Sequence, residues 1–216
     1  GRDWLFLHME IDARNADIAW AQSVLDAHPT TLAVMTIHNY LAETGGGGAA
    51  GSGTGQRGRV PVQWIGGAER NAPEQIFQQL VYPNNQIFMV LCGHNFAIYN
   101  LEETNIRGNV VHEVLVDYQT LPNGGNGFLR IMEFEPSAGT ITHSTYSPFL
   151  GRFYDPDNAA DHQGMFDLHD TEGSFFSINV DFDTRFDSVL NVVSPVAAVS
   201  PAVGARRGVA GASARR

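Results

Sequence analysis

The sequence predicts a mixed α/β domain, a β-sandwich flanked by helices whose second half is mainly antiparallel β. Three observations predict this class. Two continuous apolar runs, residues 32–37 and 87–91, have the pattern of strands that are buried on both faces. Segments with helical periodicity precede them, at residues 12–28 and 73–81. Beyond residue 94, short β-rich segments alternate with turn signals.

The first half of the chain is expected to alternate strands and helices. Residues 4–7 form a short apolar run of strand type. The helix of residues 12–28 should end before Pro29, which cannot continue it. The second helix has Asn71 as its expected N-cap and Pro73 in its first turn. Its inner face should carry Ile76, Phe77 and Leu80.

A glycine-rich segment separates these two strand–helix units. Eight of the fourteen residues in the segment 45–58 are Gly. The stretch 51–55 has a superficial likeness to a phosphate cradle, but no Lys follows it and no strand-to-helix context surrounds it. We therefore expect a surface loop without packing capacity.

The second half of the chain is expected to form an antiparallel sheet. Its predicted strands cover residues 96–101, 110–118, 128–135, 140–146 and 174–183. The last of them alternates apolar and polar residues cleanly. Residues 123–127 should form a tight turn, because Gly supplies left-handed backbone without strain. The domain is expected to end near residue 190, with a disordered tail over residues 191–216.

Composition and charge exclude several classes of protein. No apolar run approaches the roughly 20 residues of a membrane helix, so no membrane span is expected. The single cysteine, Cys92, excludes a disulfide scaffold. Residues 1–205 carry nine arginines against 23 acidic residues, a net charge of −14, so no nucleic-acid partner is expected. Composition fits several compartments, and a secreted or periplasmic location is the expectation.

Two histidines follow directly on the two buried strands. His38 comes after the run 32–37, and His94 comes shortly after the run 87–91. The carboxyl ends of neighbouring parallel strands meet at one edge of a sheet, so both imidazoles should lie there. Imidazole is a favoured ligand of Zn, Fe and Mn ions, which makes the pair a candidate metal site. The remaining six histidines are interpreted as structural or exposed.

These histidines lie within an ordered set of motifs. The motifs are TIHNYL at 36–41, LCGH at 91–94, VDYQ at 116–119, GGNGFLR at 124–130 and TYSP at 145–148. Together they resemble the C-terminal half of a calcineurin-like metallophosphoesterase of the purple-acid-phosphatase-like superfamily. The resemblance covers about residues 4–150. It implies a β-sandwich flanked by helices that hydrolyses phosphoric esters, on a small molecule or a phosphorylated substrate, with two divalent ions of Fe, Mn or Zn type.

The resemblance implies a metal role for His38 and His94, and two departures limit it. The family motifs D-x-H, G-D-x-x-D and G-N-H-[DE] occur nowhere in the chain, so the N-terminal part of the domain is expected to be missing. The family motif G-H-x-H reads Gly93-His94-Asn95-Phe96 here, and Phe cannot bind a metal. Asn95 is a weak substitute through its amide oxygen. We therefore expect no catalytic residues and no turnover from this portion alone.

Two further groups have a functional and a structural interpretation. Asp155, Asp157 and Asp161 suggest a calcium loop, but the spacing lacks the required Gly and Glu, which favours a solvated loop. Asp117 and Tyr118 end a strand and either line the pocket or serve as a turn cap and a buried aromatic. At the level of function, a non-catalytic β-rich binding or structural module descended from the same family is the main alternative. An enzyme with a single metal ion is a third.

Overall fold

The computed structural model describes residues 2–41, 57–58, 69–161 and 174–190. These residues form a mixed α+β fold of two sheets with few helices. The strands in chain order are β1 (Trp4–Met9), β2 (Leu32–Asn39), β3 (Ile87–Gly93), β4 (Ile98–Thr104), β5 (Val110–Val116), β6 (Leu129–Glu135), β7 (Thr140–Ser147), β8 (Arg152–Phe153) and β9 (Phe176–Asn179). The helices are α1 (Asn15–Ala27), α2 (Pro73–Ile76), which continues as a π-helical segment (Phe77–Val81), and α3 (Phe182–Leu190). A 3₁₀ turn spans Ala159–Asp161.

The first sheet has the strand order β1-β2-β3-β5-β4. Strands β1, β2, β3 and β5 are parallel, and β4 is antiparallel to β5. The apolar residues of β2 and the first half of β3 are buried on both faces, as the continuous apolar runs predicted. The sheet therefore presents the carboxyl ends of β2 and β3 side by side.

Helices cover one face of this sheet. Ile18, Ala21 and Leu25 of α1 are buried against it. Ile76, Phe77 and Leu80 are buried in the same cluster, which confirms the predicted inner face of the second helix. The amide N–H of Tyr82 donates to the Phe77 carbonyl at 2.7 Å, which closes the wider π turn.

The predicted cap of the second helix is wrong. Ala72 is the N-cap residue, and its N–H donates to the Gln75 side chain at 2.8 Å. The Asn71 amide instead donates to the carbonyl of Ala13 at 2.9 Å and to Asn15 Oδ1 at 3.0 Å. Asn71 therefore ties the loop before α2 to the start of α1, a long-range contact that local sequence does not reveal.

The second sheet packs on the opposite face of the first. It has the order β6-β7-β8, with β9 also paired to β7. An apolar cluster fills the space between the two sheets, and the partly buried ring of Trp4 packs against it. The ring centroids of Phe88, Phe134, Phe182 and Phe186 lie 5.2–5.8 Å from that of Trp4.

The second half of the chain departs from the expectation of one antiparallel sheet. Strand β5 belongs to the first sheet and runs parallel to β3. The strand predicted over residues 174–183 is Phe176–Asn179, and the helix α3 follows it. Asp181 starts this helix, because its carboxylate accepts from the N–H and the hydroxyl of Thr184 at 2.9 and 2.7 Å. The apolar alternation is real, but its last members belong to a helix.

Five consecutive residues confirm the predicted tight turn. Asn123, Gly124, Gly125, Asn126 and Gly127 all have positive φ, between 49° and 104°. The N–H of Gly125 donates to Leu121 O at 3.1 Å, and that of Asn126 to Pro122 O at 2.9 Å. The segment is thus one left-handed helical turn, which requires this density of Gly and Asn.

Both sheets end on the same side of the sandwich. Within the described strands, β1 pairs only with β2 and β6 only with β7. The outer strands β1 and β6 lie close to each other, because the ring centroids of Trp4 in β1 and Phe134 in β6 are 5.6 Å apart. Phe6, on the inner face of β1, is 58% exposed there.

Two predicted segments fall wholly or largely outside the described part of the chain. The glycine-rich loop at 45–58 lies outside it except for Arg57 and Gly58, and residues 191–216 lie outside it entirely. Among the helices that the structure describes, none has the length and apolar character needed to cross a bilayer.

Candidate functional site

The structure brings His38 and His94 together at the carboxyl ends of β2 and β3. His38 is the penultimate residue of β2, and His94 follows β3 directly. The distance between His38 Nε2 and His94 Nδ1 is 3.0 Å, and the ring planes are inclined by 61°. At this distance one ring nitrogen donates a hydrogen bond and the other accepts it.

A left-handed turn aims the His94 ring. His94 has φ of 71°, which is uncommon for a residue with a side chain. Its backbone N–H donates to the Asp117 carboxylate, and the next N–H, of Asn95, donates to Gly93 O at 2.9 Å. A side chain on Gly93 would lie 3.4 Å from the carbonyl oxygen of Val116. The turn is therefore fixed by hydrogen bonds and by the close approach of two strands.

Burial and neighbouring charges act on the pKa values of His94 and Asp117. Burial and the neighbouring His38 lower the pKa of His94, and the carboxylates of Asp117 and Asp12 oppose this effect. Burial raises the pKa of Asp117, although hydrogen bonds and the two imidazoles favour its charged form. Asp12 is fully buried with φ of 48°. Sequence analysis gave Asp12 no role, since a lone Asp near a helix start has no distinguishing pattern.

Asn95 is held by the loop that follows β2. Its side-chain nitrogen donates to Asn39 Oδ1 at 3.1 Å and to Leu41 O at 2.6 Å. The amide thus links the turn after β3 to the end of β2. These two hydrogen bonds hold the segments next to His38 and His94 at a fixed separation.

A buried ionic group lies beneath the site on the helix side of the sheet. Arg57 Nη1 donates to Glu113 Oε1 at 2.7 Å and Arg57 Nε to Glu74 Oε2 at 2.8 Å. The guanidinium also stacks on Phe77, 3.7 Å from the ring centroid. The backbone of Arg57 forms an isolated antiparallel β-bridge with Leu41, three residues after His38 in the chain. Sequence analysis missed Arg57, because the surrounding Gly-rich composition gave no sign of burial.

Asp117 fulfils both interpretations, whereas Tyr118 fits the structural one. Asp117 Oδ1 accepts from the N–H of Gln119 at 2.8 Å, as a turn cap does, and the carboxylate also holds the His94 turn. Tyr118 is buried, and its hydroxyl lies 2.7 Å from Thr145 Oγ1. Tyr118 therefore joins the two sheets, and Asp117 belongs to the site.

The expectation of a solvated acidic loop is wrong for one of its three carboxylates. Asp155 and Asp157 are exposed, but Asp161 is fully buried. The Asp161 carboxylate accepts hydrogen bonds from both terminal nitrogens of Arg152, at 2.5 and 2.6 Å, and from the N–H of Asp155 at 2.9 Å. Asp161 is thus the internal anchor of this loop.

The donor set at the sheet edge matches part of a metal site. Two imidazole nitrogens face each other there, whereas the described part of the chain holds no group of three or more His, Cys, Asp or Glu arranged around one ion position. A catalytic ion takes at least three protein ligands and an open position. Among the described residues, the pair thus supplies two imidazole nitrogens, fewer protein ligands than a catalytic ion takes.

Comparisons with known proteins give one relative. No family model matches the chain. Over 165 residues, 73% of this chain, it is 33% identical to the uncharacterized protein YvnB of Bacillus subtilis (strain 168). The match spans only 11% of the length of that protein.

Proposed function

We propose that the chain is the C-terminal portion of a metal-dependent phosphoric ester hydrolase of the calcineurin-like type, in which His38 and His94 bind one divalent ion. The observation that carries this proposal is the 3.0 Å distance between His38 Nε2 and His94 Nδ1. The motifs around the two residues supply the choice of family.

The distance suits two ligands of one ion. Imidazole nitrogens lie roughly 2.1 Å from a Zn-type ion. Two such nitrogens at an angle of about 90° to each other are about 3.0 Å apart, and at the tetrahedral angle about 3.4 Å. The measured 3.0 Å lies at the lower end of this range. An ion would thus replace the hydrogen bond between the rings without moving either strand.

The residues of this chain bind and orient rather than transfer protons. A bound divalent ion would supply a water of lowered pKa and positive charge against the phosphate. Such charge is needed, because residues 1–205 have a net charge of −14. The Asp117 carboxylate and the bonds of Asn95 hold the imidazoles in place. With two ligands only, the isolated chain should not turn over substrate.

A specific observation favours a second candidate, a non-catalytic module descended from the same family. Phe96 stands where the family motif has a histidine. In the described residues no third metal-binding side chain joins the pair. Under this second proposal the histidines form a structural hydrogen bond and no ion binds.

Titration calorimetry with Zn²⁺ on the full chain separates the two candidates. We expect saturable binding that weakens at least about tenfold in His38→Ala and in His94→Gly, since even indirect partners of a metal are worth 10–100-fold. Gly is chosen at position 94 because it adopts the positive φ without strain. His28→Ala, an exposed histidine, is the matched control and should bind as the parent does.

Two results would decide against the hydrolase proposal. One is that the parent chain does not bind Zn²⁺, which favours the structural module. The other is binding that is unchanged in both site variants, which places the ion elsewhere. Hydrolysis of bis(p-nitrophenyl) phosphate by the isolated chain would contradict the expectation that this portion is inactive alone.

A further inference from the structure

Two adjoining cavities lie between the sheets on the side away from β1 and β6. The larger, about 490 Å³, is bounded by β4, β5 and β9. The smaller, about 160 Å³, is bounded by the starts of β3 and β5 and by α3. His112 and Asn179 line both, so the two cavities meet there. This region lies at the amino ends of β3 and β5, opposite the histidine pair, and does not depend on the proposed function.

The buried guanidinium of Arg185 lines the smaller cavity. Arg185 is 6% exposed, and within the described residues it makes no ion pair. Its terminal nitrogens donate to Asn85 Oδ1 at 3.0 Å and to Ile87 O at 3.4 Å. Its Nε finds no acceptor among the described groups. A buried charge that lacks a partner is costly, so an anion near Arg185 would be stabilising.

The larger cavity combines apolar walls with buried polar atoms. Phe176, Ile178 and Val114 provide the apolar surface. Three of its described lining residues, Asn100, His112 and Glu113, each have a buried side-chain atom without a hydrogen-bond partner in the described part of the chain, although His112 Nδ1 lies 3.0 Å from the Glu102 carboxylate. A cavity of this kind accommodates an apolar group, with few polar contacts to orient it.

We propose that the two cavities together bind a small organic monocarboxylate. Its carboxylate would accept from Arg185, and its apolar body would lie against Phe176. The charged side chains of the cavity walls favour a monoanion. Three carboxylates, Glu102, Glu113 and Asp181, also border the cavities, and among the described lining residues His112 is the only other basic side chain. Burial lowers the pKa of His112, although Glu102 opposes this effect, so among the described lining residues Arg185 provides the full positive charge and a dianion would be repelled by the carboxylates.

Benzoate is the probe, and nuclear magnetic resonance of the full chain is the measurement. We expect saturable shifts of the Arg185 Nε–H signal and of the His112 ring on titration with benzoate. Benzamide has the same shape without the charge and should bind at least about tenfold more weakly. Inorganic phosphate, largely dianionic, should not shift the Nε–H signal. Equal binding of benzamide, or stronger binding of phosphate, overturns the proposed ligand class.

The decisive variant is Asn179→Asp. Asn179 is exposed and lines both cavities, so the substitution places a negative charge beside the ligand without disturbing the core. Benzoate affinity should fall about tenfold or more. Asn158→Asp adds the same charge on the loop before Asp161, outside both cavities, and should leave the affinity unchanged. Unaltered binding in Asn179→Asp, or no saturable benzoate shift in the parent chain, would refute the site.

Discussion

Substituting Arg57 with methionine tests how the buried ionic group is stabilised. Glu113 is completely buried, and Arg57 lies 2.7 Å from it. Burial raises the pKa of Glu113 to about 7, although Arg57 opposes the shift. Without Arg57 the pKa of Glu113 must rise further, because the main favourable partner of its charged form is lost.

The size of the effect depends on pH. With a folded-state pKa of about 7 against 4.5 when unfolded, Glu113 contributes stability that is complete below pH 4.5 and is lost as pH rises through 7. This loss amounts to about 3 kcal/mol and then levels off in the parent protein. In Arg57→Met it continues above pH 7 at about 1.4 kcal/mol per pH unit. The gap between the two proteins should therefore widen by about 2 kcal/mol from pH 7 to pH 9.

Urea unfolding at pH 5, 7 and 9 measures this gap. Groups that titrate alike in both proteins cancel in the difference between them. The double variant Arg57→Met/Glu113→Gln removes the titrating carboxyl, so its gap to Glu113→Gln alone should stay constant with pH. A gap between the parent and Arg57→Met that does not change between pH 7 and 9 would refute the reasoning, as would a widening gap in the Glu113→Gln background.

Two further predictions concern buried polarity and backbone strain. Burial lowers the pKa of the fully buried His143 to about 3, so it should cost stability as pH falls from 6.5 towards 3, on the order of 1 kcal/mol per unit. His143→Phe, which keeps the stacking on Phe176, should flatten the acid limb of the urea-stability profile, and an unchanged limb would contradict the assignment. Gly127 and Gly151 share φ of 67° and 66°, but only at Gly127 would a Cβ meet Phe149, at 2.9 Å. Gly151→Ala should therefore cost about 1 kcal/mol and Gly127→Ala about 1–3 kcal/mol more in thermal unfolding, and equal costs would rule out the clash.

The part of the site that sequence could predict is the part that topology dictates. Apolar runs 32–37 and 87–91 indicated interior parallel strands, and the carboxyl ends of such strands meet at one edge. Accordingly, His38 Nε2 and His94 Nδ1 lie 3.0 Å apart. The turn that orients His94 was beyond prediction, because it depends on Asp117, which is 23 positions further along the chain.

The features that sequence could not predict are those set by distant contacts. Arg57 lies in a low-complexity stretch, and its partner Glu113 is 56 residues away. The first two residues of α3, Phe182 and Asp183, were predicted as strand, because alternate apolar residues occur both in a strand and where a strand runs into a helix. The turn between β4 and β5 indicated an antiparallel pair correctly, but only the tertiary fold joins β5 to β3.

The outer edges of β1 and β6, which pair with no further strand among the described residues, differ in how well they resist pairing with another polypeptide. A free strand margin is a template for another polypeptide, and charged side chains discourage such recruitment. Strand β6 carries Arg130, Glu133 and Glu135, whereas β1 has no Asp, Glu, Lys or Arg and presents Phe6 to water. Self-association of this polypeptide at high concentration should accordingly begin along β1. A single carboxylate introduced on this strand should reduce that self-association.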